Sequence, residues 1–436
     1  MTLSTQPYKG ARDFYPQDKR LQKYMFGKWR EVVEHFGYEE YDAPILEPLE
    51  IYLAKSGEEI VNEQTYSFED RGGRKVAIRP EMTPTVSRMV AAKRQELAYP
   101  LRWYSIPNLW RYERPQKGRL REHWQLNVDI FGVKETGAEL EMIMLVNEVF
   151  KAFDAKPDMY EIRLNHRSLV DYSLADYLEL DAKTRQAVGK LIDRMHKMSR
   201  PDFISKVDEI LPAAQKAAGT TEKLLDLLDA KKLADLPAEV QKQPAAQELK
   251  NLLDNLKSLG INHATFDVTL MRGLDYYTGI VFEVFDTDPE NNRSMLGGGR
   301  YDGLVGLFGV APVPTVGFGW GDVTLANFLK IHHLLPQLPA ETDVWVALVG
   351  DVLEQSQPII TALRHEGLNV AVDLSGRKLG DQFKTADKKG IEQVLIIGET
   401  ELQKQLFTLK NLETGKEKKQ NLNDVVSNIK THRSIK

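Results

Sequence analysis

Apolar residues at Leu21, Met25, Trp29, Val32, Val33 and Phe36 recur at helical spacing, which predicts an amphipathic helix stopped at Gly37. The segment YEEYDAPILEP that follows alternates and carries prolines, so it reads as extended chain. A short strand is expected at Lys75–Ile78, and Thr83 is expected to cap a helix that Pro84 enters at its first position. From Trp124 to Ile130 bulky apolar and polar residues alternate strictly, the pattern of a strand with one buried face. Leu109 and Trp110 begin a partner strand, so 108–132 reads as two strands joined by a loop.

From Asp171 to Gly260 alanine, lysine, leucine and aspartate dominate, and Leu249, Leu252, Leu253, Leu256 and Leu259 keep helical spacing. Sheet-like sequence resumes at Thr265, runs through MRGLDYYTGIVFEVF and LGGGRYDGLVGLFG, and gives way to a helix near Leu325 to His332. A linker is expected at 331–341, holding His332 and His333. Beyond it, VWVALVG, LNVAVDL and QVLIIG are short apolar runs separated by helical stretches at 354–365 and 378–389. That rhythm predicts a small parallel α/β domain.

Composition narrows the function. A chain of 436 residues with 42% hydrophobic and 28% charged residues is that of a globular protein of two or three domains. The net charge of -5 means that any nucleic-acid contact must come from local patches. There is no cysteine, which excludes disulfides, thiolate metal sites and a cysteine nucleophile. The nine histidines show no HExxH-type spacing, so no protein-held metal is expected. MTLSTQPYKGARDF lacks the apolar core of a signal peptide, and no apolar run approaches a membrane span. A cytoplasmic enzyme or regulator without a membrane partner is the expectation.

Four clusters carry candidate chemistry. Between Arg111 and Arg121 the chain packs Arg111, Arg114, Lys117, Arg119 and Arg121 around Pro115 and Gly118. Guanidinium groups match phosphate oxygens, and five cations on one hairpin cannot be relaxed by mutual pairing, so a polyphosphate ligand is expected; a solvated basic turn is the other reading. In RPEMT, Glu81 and Thr83 can together grip an ammonium group, or can serve as a capping pair. In MRGLDYYTG, Arg272 requires an anion if buried, and Tyr276 and Tyr277 point to opposite faces if the segment is extended. In LGGGRYDGL, three glycines before Arg300 and Tyr301 suggest close backbone approach to a substrate, without the strand-to-helix context of a dinucleotide fingerprint.

Taken in order, these strings resemble the histidyl-tRNA synthetase family of class II aminoacyl-tRNA synthetases over nearly the whole chain. GYEEYDAPILEP resembles the first class motif, whose proline, Pro44 here, lies at a dimer interface. RYERP with QLNVDIFG resembles the ATP-binding second motif. RPEMT and RGLDYYTG resemble the histidine-specific signatures, and DLSGRKLGDQFKTADKKG the anticodon-binding domain. The resemblance implies an α+β fold: an antiparallel sheet flanked by helices (1–168 and 261–332), a helical insertion (169–260) and a C-terminal α/β anticodon-binding domain (341–436), assembled as a homodimer. It implies ATP with bound Mg²⁺, L-histidine and tRNA(His) as ligands. Arg111 then meets the α-phosphate and the histidine carboxylate. Arg272 is the second cation, where other class II enzymes place a metal ion. Glu81, Thr83, Gln125 and Asp129 meet the ammonium group, and Tyr276, Tyr277 and Tyr301 line the imidazole end. Glu113, Arg119, Arg121 and His123 hold the nucleotide, and Gln116 touches the acceptor end of the tRNA.

Two positions depart from the family pattern. In VGFGWGDVTLANFL, Thr324 stands where the third motif usually ends in an ATP-binding arginine. His123 stands where phenylalanine more often stacks on adenine. The rival reading is a histidine-binding regulatory paralogue, like the regulatory subunit of ATP phosphoribosyltransferase, which does not charge tRNA. Thr324 fits that rival; the basic loop and the C-terminal domain fit the ligase.

Overall fold

The alternating segment around Trp124 forms the longest strand among the described residues of the computed structural model, Glu122–Phe131. The structure describes residues 3–53, 64–115, 118–192, 194–195, 198–270, 276–291 and 293–435. Up to the basic loop the strands are β1 (Glu39–Glu40), β2 (Leu46–Pro48), β3 (Tyr66–Glu69), β4 (Lys75–Ile78), β5 (Leu101–Ser105) and β6 (Asn108–Trp110). After it come β7 (Glu122–Phe131), β8 (Tyr160–His166), β9 (Ala264–Phe266), β10 (Ile280–Asp286), β11 (Ser294–Arg300) and β12 (Thr315–Gly321). One sheet runs in the order β1-β5-β7-β12-β11-β10-β8-β9, with β6 paired to β7 beside it, and β2-β4-β3 form a separate small sheet. Its interior pairs are antiparallel, while the edge pairs β1–β5 and β8–β9 are parallel.

The first predicted helix is α1 (Pro16–His35), which buries Met25, Trp29, Val32 and Val33. Gly37 follows it at φ +79°, a left-handed conformation that glycine adopts without strain. With α1, helix α2 (Thr83–Ala92) and helix α3 (Gly137–Ala152) flank the sheet. Trp29, Phe150 and Trp320 meet on one face, with ring centroids 6.2 Å apart for Trp29–Trp320 and 4.5 Å for Phe150–Trp320. Full burial of one such side chain is worth about 1.5–3 kcal/mol, so this face anchors the strands that carry the site.

Strand β7 is not half-buried as its alternation suggests. Leu126 to Phe131 are all buried, because β5 and β12 flank the strand and both faces are covered. Leu126, Val128 and Ile130 enter the helix-side core, while Phe131 packs with Val86 and Val90 on the other side. The polar residues of the alternation therefore line an enclosed site instead of facing solvent.

Between β8 and β9 the described chain is helical, from Arg167–Tyr172 to Pro244–Ser258, and its leucines join the same core as the sheet. The glycines before Arg300 lie within β11 and answer to neighbouring strands, not to a substrate. A Cβ at Gly298 would come within 2.8 Å of Phe282 Cζ, and one at Gly299 within 2.7 Å of the Ile280 carbonyl oxygen. Helix α4 (Asp322–Ile331) follows β12. His332, expected in a linker, instead caps that helix end and places Nε2 2.7 Å from buried Asp286 Oδ1.

Residues 1–335 and 336–436 form two compact units. In the second, strands β13 (Val344–Val349), β14 (Val370–Val372) and β15 (Gln393–Gly398) pair in parallel as the apolar runs predict. The sheet is mixed, however, because β16 (Phe407–Asn411) and β17 (Glu417–Gln420) extend it antiparallel. Strand β17 reads EKKQ, a charged edge that blocks further pairing and carries no apolar signal. Among the described residues no helix is long and apolar enough to cross a membrane.

Candidate active site

The basic loop and the RPEMT string are tied together by one side chain. Backbone pairing of β6 with β7 closes the hairpin, with Asn108 opposite Trp124 and Trp110 opposite Glu122. Arg111 continues it, its N–H donating to the Arg121 carbonyl at 2.8 Å. Arg111 Nε then donates to the Pro80 carbonyl oxygen at 2.8 Å, one residue before Glu81. Arg79, almost fully buried, completes the frame: Nε donates to the Asn108 carbonyl at 3.0 Å and Nη1 to the Ala43 carbonyl at 2.7 Å. Sequence reading assigns Arg79 no role; it joins the first-motif segment to the hairpin.

Glu81 and Asp129 converge with three tyrosines in a buried cluster. The Tyr301 hydroxyl donates a short hydrogen bond to Asp129 Oδ1, and the Tyr276 hydroxyl lies 3.5 Å from Glu81 Oε2. Asp129 Oδ2 is buried with no hydrogen-bond partner among the described residues. Burial pushes the Asp129 carboxyl up to about 7, against the opposing pull of the Tyr301 hydroxyl. An unpaired buried carboxylate oxygen is costly unless a donor or cation meets it. Tyr276 and Tyr277 do not diverge to opposite faces. Their ring centroids are 5.0 Å apart, and Tyr276 lies 5.5 Å from Tyr301; neither Tyr276 nor Tyr277 lies in a strand. Burial raises the pKa of all three hydroxyls, which stay protonated donors at any working pH.

Thr83 does not cap its helix. Met82 occupies the cap position with helical backbone angles and no side-chain bond. Gln125 Nε2 donates to Asn127 Oδ1 at 2.9 Å on the same face of β7. Two glycines of β12 make room for this face. Gly317 sits opposite Asp129, and a Cβ there would land on the carboxylate; a Cβ at Gly319 would land on the Gln125 amide. The alternating glycines of VGFGWG are the signal that could have identified them, since glycine inside a strand marks a close approach.

The cations of the loop are less free than their number suggests. Arg119 Nη1 pairs with Glu113 Oε2 at 3.3 Å. Arg121 donates to the Glu113 carbonyl and the Tyr8 hydroxyl, and its guanidinium lies 4.0 Å from the Tyr112 ring centroid. Arg121 is thus a strut of the loop as well as a charge, and Glu113 offsets part of the cluster. His123 is neutral: burial first, then the Arg111 and Arg12 guanidiniums, push its pKa down to about 3. Thr324 spends its hydroxyl on the Met295 and Gly321 carbonyls at 2.8 and 2.9 Å.

Arg300 is not a substrate contact. Its Nε and Nη2 make a two-pronged pair with Glu139 at 2.6 and 2.7 Å, and both side chains are buried. Its partner comes from α3, which locks the end of β11 to that helix. Arg272, Gln116 and Lys117 lie outside the described residues.

Comparison with known proteins places the chain in a family. The family model for histidyl-tRNA synthetase matches residues 10–321, and that for the anticodon binding domain matches 343–432. A histidine–tRNA ligase of Leptospira biflexa is 45% identical over 412 residues, 94% of each chain. One from Haloarcula marismortui is 39% identical, again over 94% of each. The solved histidyl-tRNA synthetase from Nostoc sp. PCC 7120 shares the fold, with a TM-score of 0.81 at 24% identity, covering 99% of this chain and 100% of that one. The chain belongs to the histidyl-tRNA synthetase family.

Proposed function

We infer that this chain is a histidine–tRNA ligase, which activates L-histidine with ATP and transfers it to the 3′ end of tRNA(His). The observation that carries this reading is the Arg111–Pro80 contact, which brings a phosphate-binding hairpin to within one residue of the carboxylate pocket of Glu81, Asp129, Tyr276 and Tyr301. A histidine sensor would need the pocket but neither the hairpin nor a C-terminal anticodon-binding domain.

In the first step a histidine carboxylate oxygen attacks the α-phosphorus in line; the new P–O bond forms as the bond to the β-phosphate breaks and pyrophosphate leaves. The chain aligns the reactants and spreads charge on the phosphate oxygens. Arg111 bridges the carboxylate and the α-phosphate, with Arg272 as the second cation. Glu81, Thr83, Gln125 and Asp129 receive the ammonium, and the unpaired Asp129 Oδ2 supports that role. Tyr276, Tyr277 and Tyr301 face the imidazole; a pocket that must satisfy both ring nitrogens rejects apolar amino acids by roughly 10⁴ or more. His123 stacks on adenine as a neutral ring, and Glu113, Arg119 and Arg121 flank the nucleotide. Mg²⁺ would enter with ATP as part of the substrate and would offset charge on its phosphates beside Arg111, Glu113 and Arg119. In the second step the terminal adenosine hydroxyl of the tRNA, with Gln116 near it, attacks the adenylate carbonyl and AMP leaves.

Residues 1–168 and 261–332 are assigned to catalysis, 169–260 to clamping the tRNA acceptor stem, and 341–436 to reading the anticodon, in a cytoplasmic homodimer. Purified protein with ATP, Mg²⁺ and histidine is expected to exchange labelled pyrophosphate into ATP, and to charge tRNA(His). Absence of both activities would overturn the reading.

A further inference from the structure

Segment 10–14 is held against the start of β7. The Gly10 carbonyl accepts from the N–H groups of Arg121 and Glu122 at 2.9 and 3.1 Å. Arg12 Nη2 donates to Asp322 Oδ2 at 2.8 Å, and the other oxygen of that carboxylate accepts from the Trp124 N–H at 3.0 Å. The Arg12 guanidinium is thereby fixed 4.8 Å from the Phe14 ring centroid and 5.9 Å from that of Trp124, the residue after His123, and its charge reaches the His123 imidazole.

Arg12 and Arg300 are both arginines paired with buried acids, yet they use their donors differently. Arg300 grips Glu139 with two nitrogens and gives further bonds to the Val133 and Glu135 carbonyls. Arg12 meets Asp322 with Nη2, while its Nε is buried without a partner among the described residues. A guanidinium kept only to neutralise Asp322 would be expected to pair two-pronged and spend its donors on protein. Asp322 is 1% exposed and Arg12 27% exposed, so the acid is the anchor and the base is the presented end. Meanwhile Thr324, on the same helical turn as Asp322, has no hydroxyl proton left for a ligand.

We infer that Arg12 is a nucleotide-binding residue: its guanidinium, oriented by Asp322, contacts ATP bound beside His123. This rests on the ligase reading and adds a contact from the N-terminal segment that none of the sequence motifs contains. Arg12 and Arg111 then flank the His123 imidazole, which their charges help to keep neutral for a nucleobase while both cations remain available to phosphate.

The test uses the full chain with Arg12→Ala, Arg12→Lys and the double variant Arg12→Met/Asp322→Asn, which removes both charges so that no buried acid is left alone. Pyrophosphate exchange gives KM for ATP and for histidine separately, and calorimetry gives ATP affinity without histidine. Arg12→Ala is expected to raise the ATP KM and Kd about tenfold or more, the scale of a hydrogen bond to a charged group, and to leave the histidine KM within about twofold. Arg12→Lys should fall between. The double variant should melt near the parent temperature and still bind ATP weakly. Parent-like ATP constants in Arg12→Ala, or their recovery in the double variant, would overturn the inference. A parent chain that binds ATP but performs no exchange would instead overturn the ligase reading.

Discussion

Gly317 of β12 lies opposite Asp129 of β7 in the antiparallel ladder, and the space a side chain would take at 317 is filled by the Asp129 carboxylate. The pocket acid is therefore accommodated by an absence on the neighbouring strand. Gly317→Ala should displace Asp129 and break its bond with Tyr301. The expected result is a rise in the histidine KM of about tenfold or more, with a stability loss of about 1–3 kcal/mol from overpacking. Pyrophosphate exchange and urea unfolding measure the two effects; unchanged histidine kinetics in a folded Gly317→Ala protein would refute this account.

Asp129 also gives the chain a pH signature. Its folded pKa is raised to about 7 from an ordinary 3.8, chiefly by burial, so the folded state holds a proton that the unfolded chain releases earlier. Its contribution to stability is therefore fully present below about pH 4 and is lost as pH rises through about 7. Asp129→Asn should remove that slope. Melting temperatures from pH 4 to pH 8 should show the parent losing ground to the variant as pH rises. Histidine binding should show the opposite trend, because the cation-binding form of Asp129 is the ionised one. Parallel melting curves for the two proteins would contradict the assignment.

The Arg300–Glu139 pair is a lock between β11 and α3, and burial raises the Glu139 pKa while Arg300 opposes the rise. Arg300→Met leaves a buried acid without its partner and should cost about 3–5 kcal/mol; removing both charges with Arg300→Met/Glu139→Leu should recover most of that loss. Chemical denaturation of the three proteins decides it. A double variant as unstable as the single one would show that Arg300 matters through something other than this charge.

What the sequence reveals follows from the range of each interaction. Helix α1 and the hairpin around the basic loop are legible because local periodicity determines them. Glu81, Asp129 and Tyr301 are legible as residue types, yet their convergence is set by strand order, which no local pattern encodes. The Arg300–Glu139 pair spans 161 positions, so the buried lock it forms cannot be read from LGGGRYDGL alone. The condition set on Tyr276 and Tyr277 is not met: side chains alternate only in extended chain, and neither residue lies in a strand. Strand β17 escapes notice because a charged edge strand resembles a loop. The Arg12–Asp322 contact joins two segments 310 residues apart, and nothing near Arg12 in the chain announces it.

The two compact units meet in sequence at Leu335 and Pro336, and each has its own apolar core. Val344, Val346, Ile360, Leu395, Ile397, Phe407 and Val425 are buried together in the second, and Trp345 packs with Ala386 and Val394 on the other face of its sheet. The residues assigned to histidine activation all belong to the first unit. A chain ending at Leu335 should therefore fold and retain histidine-dependent pyrophosphate exchange, because adenylate formation needs none of the removed side chains. Charging of tRNA(His) should fall by about a hundredfold, as expected when one of two linked binding modules is lost. Exchange and charging assays on the truncated and full chains separate these outcomes. Loss of exchange in a folded truncated chain would mean that the C-terminal unit takes part in the chemistry; undiminished charging would mean that it does not grip the tRNA.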